Sequence, residues 1–437
     1  LSNQIVMLVI NIILYTFKGI QYLFSLPSLI YKQIKLILKG SNVVIKESLT
    51  ALLICAIGDL FAGIILGNMT FFLETYPGLM VIIPGAIGMR GNIFGSFGSR
   101  LSTHLHIGTL SPKFEKSEIL TENILSSIIL TMFLSIILAI IANIVCFIFK
   151  FKCIDIFEMV LILFIAGLIS TGIMLPITMF ISLKSYENGW DPDNITTPLI
   201  AAFGDFFTLP SIIISVILVS FFTKVYLIKI ALFIVVILIG VAGLVYGFKH
   251  KGNIKQIVKQ STPVLIICSV LGAFAGGVLN DSLTTLLNNQ SLLTLVPLFS
   301  GEGGGIVSIL GARLSSGLHA GLIEPSLRPK EHTIENFTII IALAIIMYPI
   351  IAFMAESSTI AFGGVGVGYS NIVAISFISG LALILIMIFV VFYISSISYK
   401  RGFDPDNIVI PLSTSLTDSI STLILISVTL VILGVVV

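Results

Sequence analysis

The sequence predicts an all-α integral membrane protein of about 11 transmembrane helices, built as two parallel five-helix repeats joined by a linker helix. Three observations carry this reading: a composition unsuited to water, apolar runs of membrane length, and a gapless internal repeat. Of 437 residues, 57% are hydrophobic and 10% charged, and the mean hydropathy is +1.14; no water-soluble domain of this size carries such a composition. Apolar runs such as 124–149 and 159–183 match the roughly 20 residues that cross about 30 Å of hydrocarbon. They lack the dyad alternation and the roughly 10-residue strands of a barrel.

The repeat is visible in register. PGAIGMRGNIFGSFGSRLSTHLHIG (84–108) lies over PLFSGEGGGIVSILGARLSSGLHAG (297–321), every pair 213 residues apart. The same shift superimposes Glu122-Asn123 on Glu335-Asn336, the Asp-Pro-Asp-Asn-Ile segment at 191–195 on that at 404–408, Pro198 on Pro411, and Asp205 on Asp418.

Taken in order, residues 1–45 read as an amphipathic, interfacial segment or one extra span, because Lys18, Lys32, Lys35 and Lys39 interleave with Tyr22, Phe24 and Tyr31. With no basic stretch before its apolar part and no small-residue cleavage site after it, it does not read as a signal peptide. The first repeat, 46–224, holds spans near 46–67, 76–99, 119–148, 157–184 and 198–223, the last opened at its first turn by Pro198. Residues 225–250 form a linker helix, and 251–437 the second repeat, with Pro411 in the role of Pro198. A five-helix unit copied directly emerges inverted; the linker restores it, giving a pseudo-twofold axis along the membrane normal. With the start of the first span cytoplasmic, fifteen Lys and Arg fall on that side against four opposite. The positive-inside rule then puts the C-terminus outside a multi-pass protein of the cell membrane.

The net charge of +2 is small and its cations are scattered between spans, so no nucleic-acid partner is implied; the partners are membrane lipids and the cargo. Cys55, Cys146, Cys153 and Cys268 form no CxxC pair and meet no matching histidines, so they read as buried thiols. No span joins a nucleophile to a base, which argues against an integral membrane enzyme.

An ionisable group in hydrocarbon costs about 2.5–3.5 kcal/mol on insertion scales, so each such group calls for a role. Asp205 and Asp418 lead. Each shares a helical face with small or polar residues at three- and four-residue spacing, Ala201 and Thr208 on one helix, Thr414 and Ser421 on the other. Facing each other across the axis, two carboxylates suit a hard divalent cation, and magnesium, slow to dehydrate, suits one or two carboxylates with its waters kept. The competing reading is that each aspartate caps or pairs within the bundle. Asp191 and Asp404, with Asp193 and Asp406, stand at the cytoplasmic mouth, either attracting cations or opening helices. The glycine-rich stretches 88–98 and 301–311 permit close helix approach or a broken helix with exposed carbonyls. Their polar content differs, Arg90 and Asn92 in the first and Glu302 with Gly305 in the second; Arg90 and Glu302 are candidates for tuning the path. Asp59 aligns with Gly272 and is either a coupling site or a hydrogen-bonding group. Asn68 and Asp281 align at the outer end of the first span, and His106 and His319 read as interfacial anchors.

These residues carry a resemblance. Met89-Arg-Gly-Asn92 followed by Ser99-Arg-Leu-Ser-Thr103, Gly301–Gly305 followed by Ala312-Arg-Leu-Ser-Ser316, both Asp-Pro-Asp-Asn loops and Gly204-Asp205 resemble the MgtE family, and particularly its duplicated relatives, the solute carrier family 41 magnesium transporters. The likeness covers about 46–437. It implies a divalent cation transporter or channel, with magnesium as transported ion and no cofactor. It also implies that one polypeptide forms the pore which a homodimer forms in MgtE, a pseudo-dimer needing no further oligomerisation. Asp205 and Asp418 take the place of the family's central magnesium-coordinating aspartate, and Asp191 and Asp404 that of its cytoplasmic-side aspartate. Two departures bear on the second half: Gly305 stands where the family has the Asn seen at Asn92, and Thr417 replaces the glycine of Gly204. With 45 residues ahead of the first span, no counterpart of the family's cytosolic magnesium-sensing domains is expected. A sodium- or proton-coupled exchanger, or a manganese or cobalt transporter, is the alternative within transport.

Overall fold

The computed structural model describes residues 42–106, 108–111, 115, 117–187, 192–222, 225–250, 252–319, 321–401 and 405–434. Among these every regular element is helical: α1 (Asn42–Gly67), α2 (Thr70–Thr75), α3 (Leu79–His106), α4 (Glu118–Ile148), α5 (Ile156–Glu187), α6 (Pro192–Phe222), α7 (Tyr226–Lys249), α8 (Asn253–Asp281), α9 (Leu283–Asn288), α10 (Gln290–His319), α11 (Glu331–Ala361), α12 (Tyr369–Lys400) and α13 (Pro405–Leu433). Eleven of these, all but α2 and α9, are long and apolar enough to cross a membrane. The reading of 1–45 lies mostly outside the described residues.

The 213-residue register extends to the element starts, Thr70 and Leu283, Glu118 and Glu331, Ile156 and Tyr369, Pro192 and Pro405. The last pair corrects one expectation. The helices open at the prolines of the Asp-Pro pairs, six residues before Pro198 and Pro411, which lie inside α6 and α13. A proline at the first helical position loses no hydrogen bond there, and Pro192 and Pro405 already meet that condition. Asp205 is therefore thirteen residues into its helix, about 20 Å at 1.5 Å per residue. The glycine-rich stretches do not break their helices, since α3 and α10 run through them.

The described helices form two compact units. The larger comprises Ile57–Pro297 and Ser358–Gly366. In it α3 packs against α4, α5, α6 and α8. The approach of α8 is close because it presents glycines: a Cβ on Gly272 would lie 2.5 Å from the Gly85 Cα, and one on Gly276 would lie 2.1 Å from the Val81 carbonyl oxygen. The linker helix α7 is docked on α4, α5 and α8, with Ile136 seated on Gly240 and Phe157 edge-on to Phe233 at 4.7 Å. Much of the rest of its apolar surface is exposed.

The smaller unit comprises the start of α1 up to Ala56, Leu298–Ser357, and the chain from Val367. Here Leu52 lies on Gly305, Tyr348 on Gly380, and α12 packs along α13. The units therefore do not follow the repeats. The start of α1, from the first repeat, sits with α10, while α8, the first helix of the second repeat, sits with α3.

The cysteines also differ from expectation. Cys146, at the end of α4, and Cys153, seven residues on, form a disulfide, leaving Cys55 and Cys268 as free thiols. The chain turns back between the two through Lys150, which has a positive φ of 57°, and this return brings the thiols together. Gly78, with φ 81°, makes room beside the bridge, because a Cβ there would meet the Cys153 sulfur at 2.3 Å.

Candidate functional site: the membrane-embedded carboxylates

Asp418, on α13, is half-buried. Its Oδ1 accepts a hydrogen bond from the Ser300 Oγ of α10 at 2.6 Å, and its carbonyl accepts from Ser421 and Thr422, each at 2.9 Å. Thr414, one turn earlier, donates to the Pro411 carbonyl at 3.1 Å and is half-buried, with its methyl 4.0 Å from where a Gly304 Cβ would lie. These helices approach so closely because the glycines of α10 leave room, Gly303 facing the Thr417 methyl at 3.0 Å.

Asp205, on α6, is half-buried and engaged in a polar interaction. Thr208, buried one turn on, donates to the Gly204 carbonyl at 2.6 Å. Gly204 itself abuts Gly91 of α3, 3.6 Å from its Cβ position to the Gly91 nitrogen. This brings α6 against the Arg90-Gly-Asn92 segment, and Asn92 is half-buried with a polar interaction of its own. Ser300 has no polar equivalent here, since Ile87 stands 213 residues earlier. Reasoning from matched pairs therefore had no signal for it.

The remaining candidates are dispersed. Asp59 is buried in α1 and engaged. Asn68 and Asp281 are exposed just past α1 and at the end of α8, Asn68 donating to the Ile64 carbonyl at 2.7 Å. Glu302 is 1% exposed, and neither carboxylate oxygen has a hydrogen-bond partner. Arg90 is fully buried and turned to α5. Asp191 and Asp404 lie outside the described residues, as do the side chains of Ala201, Asp193, Asp406, His106 and His319. Among the described residues no three His, Cys, Asp or Glu gather as a metal cluster. Single carboxylates beside hydroxyls, such as Asp205 and Asp418, suit contact with a hydrated divalent ion.

Two segments, 83–215 and 296–428, each match the MgtE family, described as divalent cation transporters. The chain belongs to the MgtE family. The two matches begin 213 residues apart, so each repeat carries one copy of this family domain, and each copy contains one of the aspartates. Among curated relatives, solute carrier family 41 member 2 of Gallus gallus is 23% identical over 89% of this chain and 70% of its own length. The Homo sapiens member 2 is 23% identical over 90% and 71%, and member 3 of Rattus norvegicus 23% over 86% and 84%. No solved structure matches the chain. As a member of the MgtE family with eleven apolar helices among its described residues, the protein is a multi-pass divalent cation transporter rather than an enzyme.

Proposed function

We propose that this MgtE-family chain carries magnesium across the cell membrane, with Asp205 and Asp418 contacting a partly hydrated ion on a path shared by the two repeats, 46–224 and 251–437. The observation that carries the reading is the recurrence of one membrane-embedded aspartate at the same position of both family-matched segments, each followed by a buried hydroxyl, Thr208 or Ser421. Such a pair gives a hard cation oxygen ligands without stripping its water. One polypeptide then supplies both halves of the path as a pseudo-dimer, and Asp191 and Asp404 attract cations at the cytoplasmic mouth.

One structural feature supports a cytoplasmic start for α1 and an outer C-terminus. A disulfide persists in an oxidising compartment, which fits the turn carrying Cys146–Cys153 on the outer side.

The test is magnesium uptake into liposomes by the full chain and by Asp205→Asn, Asp418→Asn and the double variant, with manganese and cobalt as competitors and sodium and proton gradients set independently. Each single variant should lower uptake and the double variant should abolish it. Undiminished uptake by the double variant overturns the assignment, and uptake that follows an imposed sodium or proton gradient makes the chain an exchanger.

A further inference from the structure

Among the described residues Arg90 presents a charge with no counter-charge. It is 0% exposed, its Nε donates to the Ser170 Oγ at 2.8 Å, and the Ser170 hydroxyl donates in turn to the Gly167 carbonyl at 3.1 Å. Both terminal nitrogens, Nη1 and Nη2, have no hydrogen-bond partner, and none of the described residues forms an ion pair with this guanidinium. Around it the unit supplies further donors. The hydroxyls of Thr131, Ser135 and Thr171 are buried and also without partners. Three of these side chains converge on Gly167: its Cβ position is 2.8 Å from the Ser135 Oγ, 3.2 Å from the Arg90 Nη2 and 3.2 Å from the Thr131 methyl. Thr171 follows one turn along the same face of α5.

A buried lysine can shed its proton, but an arginine cannot. A desolvated, unmatched charge costs several kcal/mol, so this site is short of one acceptor that carries negative charge. The second repeat shows what the position looks like without that demand. The counterparts of Arg90, Thr131, Ser135, Ser170 and Thr171 are Gly303, Ala344, Tyr348, Leu383 and Ile384. Loss of the arginine goes with loss of all four hydroxyl-bearing residues of the first repeat and the entry of a tyrosine ring against Gly380.

We propose that Arg90, with the hydroxyls of Ser135, Thr131 and Thr171, binds one small monovalent anion of the halide class inside the first repeat, Ser170 holding the guanidinium in place. Hydroxyl and guanidinium protons are the donors that such an anion takes, and among the described residues no carboxylate is bonded to them. The site lies beside Gly91, which abuts Gly204, the neighbour of Asp205. An anion there cancels the positive charge that an incoming cation would otherwise meet, a role that rests on the proposed path; the binding itself does not.

The test uses the full chain in detergent, with bromide as the probe. Crystals grown in bromide should show an anomalous peak within hydrogen-bond reach of the Arg90 Nη atoms, absent in Arg90→Met. Replacing gluconate by chloride at constant ionic strength should raise the unfolding temperature saturably, and Arg90→Met should lose that shift. Should Arg90→Met fail to fold, Ser135→Ala and Thr171→Val, which keep the arginine, should weaken the chloride shift instead. Bromide found only on exposed surface, water alone at Arg90, or a chloride shift that these variants leave unchanged would overturn the proposal. None of these readouts needs transport, so an absence of magnesium flux would count against the cargo and leave the anion site standing.

Discussion

The Nε of Arg100 donates to the Oδ1 of Asn123 at 2.6 Å, and Asn123 is itself oriented by donating to the Ile119 carbonyl at 2.9 Å. The bond recurs 213 residues later, Arg313 donating to Asn336 at 2.6 Å and Asn336 to the His332 carbonyl at 2.8 Å. In both repeats it pins the end of the glycine-rich helix to the helix that follows. A charged donor stripped of its partner costs about 2 kcal/mol, so Asn123→Leu should lower the detergent unfolding temperature. A double-mutant cycle with Arg100→Leu should return a coupling energy of similar size. Simple additivity of the two variants would mean that the bond holds nothing.

Asp418 is held by Ser300, whereas Asp205 has Ile87 at the corresponding place. Hydrogen bonds to charged groups contribute about 1.5–3 kcal/mol, and each 1.4 kcal/mol is tenfold in affinity. Ser300→Ala should therefore raise the magnesium concentration for half-maximal uptake by about ten- to hundredfold, with a smaller change in maximal rate. Ile87→Ser, which offers Asp205 a similar donor, should not reproduce that loss.

The Cys146–Cys153 bridge closes a short loop. Loop-closure entropy for about eight residues comes to roughly 2.5 kcal/mol. Cys146→Ser should lower the unfolding temperature, and reductant should do so in the native chain but not in the variant. An impermeant maleimide added after reduction should label these two thiols on intact cells if the α4–α5 turn is outside. Labelling confined to inverted vesicles would reverse the orientation.

The contact of Gly276 with the Val81 carbonyl tests the packing of α8 on α3. A side chain at 276 meets backbone, which cannot rotate away, at 2.1 Å. Gly276→Ala should destabilise the full chain by about 2–3 kcal/mol, read as a lower unfolding temperature. Wild-type stability in this variant would mean that the two helices are not in contact at this point.

The helix count and the 213-residue register were legible because both are written along the chain, one as apolar length and the other as repeated motifs. The short helices α2 and α9 were not, since TFFLET and LTTLLN are six-residue pieces lacking a repeating apolar face. The helix starts were misplaced because two prolines, Pro192 and Pro198, both satisfy the first-turn rule and only the earlier one is used. The disulfide was hidden because its closure depends on how the chain leaves α4 and returns, not on a spacing motif. Ser300 leaves no mark in the repeat pattern, because its counterpart, Ile87, is apolar. The seating of α8 on α3 is likewise silent in sequence, because glycines announce close packing without naming the neighbour.

The two repeats fill equivalent positions with different side chains, and the substitution pattern predicts a rescue. In the larger unit Arg90 reaches over Gly167 with Ser135 beside it. In the smaller unit the Tyr348 ring lies over Gly380, its Cδ2 2.1 Å from the Cβ position, and its hydroxyl is 3.4 Å from that of Gly303. Bulk enters from the glycine-rich helix in one case and from the helix after it in the other. Ser135→Tyr alone should place a ring on Arg90 and destabilise by about 1–3 kcal/mol, the cost of overpacking. Arg90→Gly alone should leave a void and unpaired hydroxyls, costing about 2–5 kcal/mol. The double variant Arg90→Gly/Ser135→Tyr reproduces the arrangement of the second repeat, so it should unfold at a higher temperature than either single variant, a favourable coupling between touching residues. Additive losses would mean that the two hollows are not equivalent and that duplication preserved the backbone without preserving its packing.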